Sequence, residues 1–311
     1  MAGRMMAALS RADTRAGRHA ARGLVAGLVA LLAACGGDSA QESSEPSISG
    51  SVERPRLIAL WEADTPAFGV FVPSERERGA TDADGNRLPP LYTAEGGSRL
   101  AQNERLDYLF LNLEGSYDAG AVTAMVEGLD TAPVDEPPTL LVRVPTIADA
   151  GADATRSRVA EIVAAGADGV VIPHIRSPEE ARLAVSFFEE AGADVWSPAN
   201  PDGTFVAMLM VEDEEAVESA ADILAVPGYS MLSCGIGSLT GDMDGDREAA
   251  EAACEEVMRL GAEAGMPSMM TAGAADIVHR IDQGYLGLLL MGSTEQVNEI
   301  IEAGRAASGG G

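Results

Sequence analysis

The chain has 311 residues, 46% of them hydrophobic and only 4% aromatic, so it can bury one large core built of Val, Ile, Leu, Met and Ala. Its formal net charge of -28, from 49 acids against 21 basic residues, excludes the basic footprint that nucleic acid or an anionic lipid surface demands. All 21 basic residues are Arg, which also excludes Schiff-base chemistry through a lysine.

Arg4, Arg11, Arg15, Arg18 and Arg22 precede an apolar run over residues 24–34. A basic flank, a short apolar stretch and small residues at its end are the parts of a secretory signal. The run is too short to span a bilayer, which takes about 20 apolar residues. It ends Leu32-Ala33-Ala34-Cys35, which resembles the lipobox of bacterial lipoproteins. That resemblance implies removal of residues 1–34, acylation of Cys35 and anchoring in the bacterial cell envelope, at the outer membrane or periplasmic face. Gly36 follows, not Asp, so no inner-membrane retention signal is evident. Without residues 1–34 the chain carries 16 Arg against 48 acids. Residues 35–54 are rich in Gly, Ser, Glu and Pro and read as a flexible tether behind the lipidated Cys.

From Pro55 onward, eight apolar runs are expected to be strands: 67–72, 107–112, 139–144, 169–173, 206–211, 229–234, 268–271 and 286–291. Most are near-continuously apolar and do not alternate, as parallel strands buried on both faces do. Helical patterns lie between them at 154–165, 178–191, 213–224 and 247–264. Ser177 and Pro178 open the second of these, and Gly166 and Gly192 close the first two. Residues 74–104 and 192–204 are polar, contain Gly and Pro, and read as long loops. Eight strand–helix units in order predict an α/β fold of the (β/α)₈ TIM-barrel class, which typically takes about 250 residues. The barrel is placed at 55–306, with 307–311 as a disordered tail. No Gly-x-Gly-x-x-Gly follows the first strand, so dinucleotide binding has no support. Three cysteines cannot make a disulfide framework, and Cys234 and Cys254 read as isolated thiols.

In such a barrel, reactive groups sit at the C-terminal ends of the strands. That rule selects Glu114, Arg143, His174, Glu212 and the turn Gly235-Ile236-Gly237-Ser238. A lone charge at a strand end is ordinarily a solvated rim residue. Arg143, His174 and Glu212 end three successive strands and should converge on one mouth. His174 is one of three His; the others are His19, in the signal, and His279, in a late helix. It is therefore the candidate general base with a near-neutral pKa.

The ordered set Leu141-Val142-Arg143, Gly166-Ala167-Asp168-Gly169-Val170-Val171-Ile172-Pro173, Met210-Val211-Glu212, Gly235-Ile236-Gly237-Ser238-Leu239 and Ala272-Gly273 resembles the HpcH/HpaI aldolase/citrate lyase family. The likeness spans residues 55–306 and includes the helix Leu57-Ile58-Ala59-Leu60-Trp61 ahead of the first strand. It implies a barrel of the phosphoenolpyruvate/pyruvate type, metal-assisted carbon–carbon cleavage of a 2-oxo acid, and a Mg²⁺ or Mn²⁺ cofactor. Carried over, Glu212 matches the metal-binding Glu and Arg143 the pyruvate-binding Arg, with Gly237 and Ser238 lining the substrate site. Family members often form multimers, so a homo-oligomer is implied too. Three positions depart from the family. Ser238 stands where the second metal carboxylate is usual, Gly115 where the catalytic His is usual, and Ala164 where that His finds its supporting acid. Asp242 and Asp244 lie near Ser238 but read as a solvated acidic turn.

Two functions follow. One is an aldolase-like lyase acting through Arg143, His174 and Glu212 on a small 2-oxo acid. The other is a degenerate, lipid-anchored barrel that binds a small acid or a protein partner without catalysis.

Overall fold

The computed structural model describes residues 54–309. Expectations for residues 1–53, including the signal, Cys35, His19 and most of the tether, lie outside the described residues, as do 310 and 311. Helix α1 (Arg56–Glu62) leads into β1 (Ala67–Phe71), followed by α2 (Ala94–Ala101) and β2 (Tyr108–Asn112). Then come α3 (Ala119–Asp130), β3 (Thr139–Arg143), α4 (Ile147–Ala150), α5 (Ala152–Ala165) and β4 (Gly169–Ile172). The chain continues through α6 (Pro178–Glu190), β5 (Val206–Val211), α7 (Glu214–Glu218), α8 (Ala220–Leu224) and β6 (Met231–Cys234). It closes with α9 (Ile236–Asp242), α10 (Arg247–Glu263), β7 (Met269–Thr271), α11 (Ile277–Gln283), β8 (Gly287–Leu290) and α12 (Thr294–Ala307).

All eight expected strands are present and parallel, in the ring order β6-β5-β4-β3-β2-β1-β8-β7. The ring is sequential, as a (β/α)₈ barrel requires. Its one seam lies between β6 and β7, where the described residues form no backbone ladder. There the Met269 N–H donates to the Ser233 Oγ at 3.2 Å. Alternate residues of each strand point inward, and Tyr108, Phe110, Leu141, Met208, Met231 and Met269 fill the interior. Leu57, Ile58 and Trp61 of α1 pack into this same inner core. The other face of each strand packs under the helices, so both faces are buried. No helix among the described residues is long and apolar enough to cross a membrane.

Three expectations are corrected. Residues 74–104 are not all loop: α2 lies within them, capped by the Thr93 Oγ1, which accepts from the Gly96 N–H. Gly96-Gly97 conceal the helix in the sequence because glycine disfavours helix. Gly97 is there for contact, since a Cβ on it would sit 3.2 Å from the Met125 carbonyl oxygen of α3. The expected helix over 213–224 is two short helices, α7 and α8, broken at Ser219. The final helix runs to Ala307, one residue into the expected tail.

At the N-terminal face, two acids, the buried Asp107 and the partly buried Asp168, tie strand to strand. Asp107 accepts from the Phe68 N–H at 2.8 Å and is neutralised by Arg56 at 3.0 Å and Arg305 at 3.1 Å. Asp168 accepts from the Leu140 N–H at 2.7 Å but has no cation partner among the described residues. Burial pushes its carboxyl up to about 6, against an ordinary 3.8. The folded state therefore holds this proton more tightly than the unfolded chain. The resulting stabilisation is complete below about pH 4 and is lost as pH rises through 6. Asp168→Asn keeps the acceptor and removes the charge. The wild type should lose about 2–3 kcal/mol relative to this variant between pH 4 and pH 7. Urea unfolding of both proteins at the two pH values measures the difference, and parallel pH dependences would contradict it.

Candidate active site

The barrel places five strand-end residues at one mouth. Arg143 is the last residue of β3, Glu212 follows β5 directly, and Glu114 and His174 each follow their strands by two residues. Ser238 lies in the first turn of α9. The Arg143 Nη2 donates to the Glu212 Oε2 at 2.7 Å and to the Glu114 Oε1 at 2.8 Å. His174 stands over the same pair, its Nε2 3.5 Å from the Glu212 Oε2 and 3.6 Å from the Glu114 Oε1. Its backbone has φ +53°, a left-handed conformation that costs a non-glycine residue about 1 kcal/mol or more. In that conformation its N–H points at the Glu212 Oε2, 3.3 Å away. The Ser238 hydroxyl donates to the other oxygen, Oε1, at 3.1 Å.

Glu212 is only 3% exposed, so its charge depends on these partners. Glu114 is half-buried, and desolvation raises its pKa above the usual carboxylate value, opposed by the nearby Arg143. The Arg143 Nε is buried and has no hydrogen-bond partner, an orphaned cationic donor at the head of a pocket. Beneath lies a cavity of about 150 Å³ whose lining includes Phe71, Phe110, Met208, Met210, Met269 and Leu289. Gly237 and Ser238 form part of its wall.

Glu114, His174 and Glu212 each offer one ligand atom, and the three atoms lie within 4.8 Å of one another. The set fits a divalent cation: two carboxylates supply hard, charged oxygens, and the backbone at Gly235 leaves the room they need. A Cβ there would fall 2.2 Å from the Glu212 Oε1. Ser238 replaces the family's second metal carboxylate, and β2 brings a different one, Glu114, to Glu212. The turn after α9 does not join them. The Asp242 Oδ2 accepts from the Glu214 N–H at 2.8 Å, and Asp244 sits in a left-handed turn. His279 is exposed on α11.

The reading of Cys234 and Cys254 as isolated thiols is overturned. The two form a disulfide across a sequence separation of 20, joining the end of β6 to α10. Strand-end position revealed the charged residues of the mouth. The apolar lining, the steric role of Gly235 and the disulfide carried no such local signal.

Fold and site together define a parallel-barrel protein with a buried arginine, two carboxylates and an imidazole at its C-terminal mouth. The chain belongs to the HpcH/HpaI aldolase/citrate lyase family, whose model matches residues 99–287. This is a family of metal-dependent enzymes that cleave carbon–carbon bonds. Among solved structures, it is similar to an HpcH/HpaI aldolase from Desulfitobacterium hafniense DCB-2, at 20% identity and a TM-score of 0.57, over 80% of this chain and 94% of that one. A family protein from Burkholderia cenocepacia J2315 is likewise 20% identical, with a TM-score of 0.57, over 81% of this chain and 97% of the other. A citrate lyase beta subunit from M. tuberculosis, solved with oxaloacetate and magnesium, is 17% identical with a TM-score of 0.50, over 77% and 97%. At these identities the likeness speaks for the fold alone. No curated protein matches the sequence.

Proposed function

We propose that this protein is a metal-assisted carbon–carbon lyase that releases pyruvate or a related 2-oxo acid from a 4-hydroxy-2-oxo acid. The observation that carries the reading is Arg143 flanked by Glu114 and Glu212, with His174 over the pair, at the mouth of a barrel of this family. A relative solved with oxaloacetate and magnesium supports the choice of ligand classes. Glu114 and Glu212 would hold Mg²⁺ or Mn²⁺, which supplies Lewis-acid charge where the 2-oxo oxygen becomes negative. Arg143 holds the substrate carboxylate, using the donor now left without a partner. His174 accepts the proton of the 4-hydroxyl through Nε2. The C3–C4 bond breaks, its electron pair passes to C3 and the 2-oxo group, and an aldehyde leaves. A proton returned to C3 completes pyruvate. The Gly237 and Ser238 wall keeps the substrate over the apolar lining, where water is scarce.

The test is pyruvate release from 4-hydroxy-2-oxo acids with and without Mn²⁺, together with Ser238→Asp. A second carboxylate beside Glu212 restores the family pattern and should tighten Mn²⁺ binding about tenfold, because cation affinity follows the number of charged ligands. Unchanged affinity in calorimetry, with no pyruvate released, would favour the non-catalytic binding protein.

The protein is further proposed to be a lipoprotein of the cell envelope, anchored through Cys35. Leu32-Ala33-Ala34-Cys35 supports this, and so does a disulfide, which persists mainly in oxidising compartments. Mass spectrometry of the membrane fraction should find an acylated N-terminal Cys35. A soluble mature chain that retains Met1 is the contrary result.

A further inference from the structure

The segment that follows β6 forms the wall against which Glu212 rests. Cys234, the last residue of β6, pairs in register with Val211, the residue before Glu212. The Gly235 N–H donates to the Val211 carbonyl at 2.9 Å. The Gly235 backbone approaches the Glu212 carboxylate so closely that no side chain fits between them. Ser238 then donates to the Glu212 Oε1 at 3.1 Å. One short stretch of backbone thus sets both the position of one carboxylate oxygen and one of its hydrogen bonds.

That stretch hangs from one of the two strands at the seam, each laddered on one side only. On its other side β6 faces the seam, with only the Ser233 Oγ to Met269 N–H contact in place of a ladder. Besides its ladder to β5, the bond from Cys234 to Cys254 secures its end. Cys254 is fully buried on α10. Helix α10 is in turn clamped to α11 by the buried Arg280, whose Nη2 donates to the Glu251 Oε1 at 2.6 Å. A continuous path therefore runs from α11 through α10 and the cross-link to Gly235, Ser238 and Glu212. Two unbonded thiols cannot approach as closely as a bonded pair, so without the bond the two sulfurs move apart and the end of β6 loses its covalent tie to α10. β6, laddered to β5 alone, is the partner with room to move.

We propose that Cys234 and Cys254 are positioning residues, whose cross-link holds the 235–238 wall against Glu212 and so sets the cation affinity of the site. This rests on the reading of Glu212 as a metal ligand. Residues that orient a ligand from behind typically change metal affinity about 10- to 100-fold.

The experiment compares Mn²⁺ binding by calorimetry, and the electron paramagnetic resonance spectrum of the bound ion, in oxidised wild type, Cys254→Ala and Val159→Ala. The last is a core truncation on α5, on the far side of the barrel from α10, that lowers stability without touching the wall. All three are measured at a temperature where circular dichroism shows full folding. Cys254→Ala should bind Mn²⁺ about tenfold more weakly with an altered spectrum, while Val159→Ala should match wild type. Wild-type affinity in Cys254→Ala, or an equal loss in Val159→Ala, overturns the proposal. Should the variant fail to fold, amide hydrogen exchange on wild type prepared with and without the disulfide decides. Exchange should quicken at Gly235 and Leu239 but not in β2 or β3, and equal exchange overturns the proposal. Failure of oxidised wild type to bind Mn²⁺ would remove the metal reading of Glu212, while the exchange arm still tests the positioning.

Discussion

Glu212→Ala is expected to abolish measurable Mn²⁺ binding, a loss of about a hundredfold or more, while the barrel stays folded. Glu212 is the most buried acid of the mouth and the one on which the others converge: Arg143, the His174 backbone and Ser238 all donate to it. Outer partners of a metal ligand typically carry 10- to 100-fold of affinity, and the ligand itself should carry more. Glu114 and His174, left alone, offer one half-buried carboxylate and one imidazole, a poor set for a hard cation. Calorimetry with Mn²⁺ reads the loss directly, and circular dichroism separates it from unfolding. Binding equal to wild type would place the cation elsewhere and hand the mouth to the binding-protein reading.

Arg143→Met should give the largest loss of stability at the mouth, about 3–5 kcal/mol at neutral pH without metal. The guanidinium bridges two carboxylates, at 2.8 and 2.7 Å, with its own side chain and that of Glu212 both largely buried. Removing it leaves Glu114 and Glu212 facing each other without the cation that opposes the desolvation of Glu114. The same picture carries a sign for metal. A divalent ion that binds only the folded protein should restore part of the loss by mass action, more in the variant than in the wild type. Urea unfolding with and without Mn²⁺ measures both effects. A loss under about 1 kcal/mol would mean that Arg143 behaves as an ordinary exposed ion pair.

Much of this was legible in the residue order because it is written locally. A parallel strand buried on both faces is near-continuously apolar, so runs such as 139–144 and 206–211 announced themselves. A helix start is chemical: Ser177 accepts from the Glu180 N–H one turn on, with Pro178 in the first helical position. Strand ends then named Arg143, His174 and Glu212, because in a closed parallel barrel every strand opens on the same mouth. The family resemblance added roles, and its departures at Ser238 and Gly115 were visible in the same way.

Other features depend on which surfaces meet, and no local pattern records that. Helix α2 escaped notice because Gly96-Gly97 is a poor helical signal until α3 is seen against it. Cys234 and Cys254 could be paired only once α10 was known to turn its buried face onto the end of β6. Glu114 became a partner of Glu212 through the curvature of the ring, which brings the ends of β2 and β5 to one small mouth across β3 and β4. The sequence by itself determined the eight strands, their buried character and the identity of the charges at their ends, since periodicity and end chemistry act within a few residues. Only the tertiary structure decided which carboxylates share the Arg143 guanidinium, which thiols bond and where the barrel wall has its seam, because those depend on distances across the ring that the chain sets by closing.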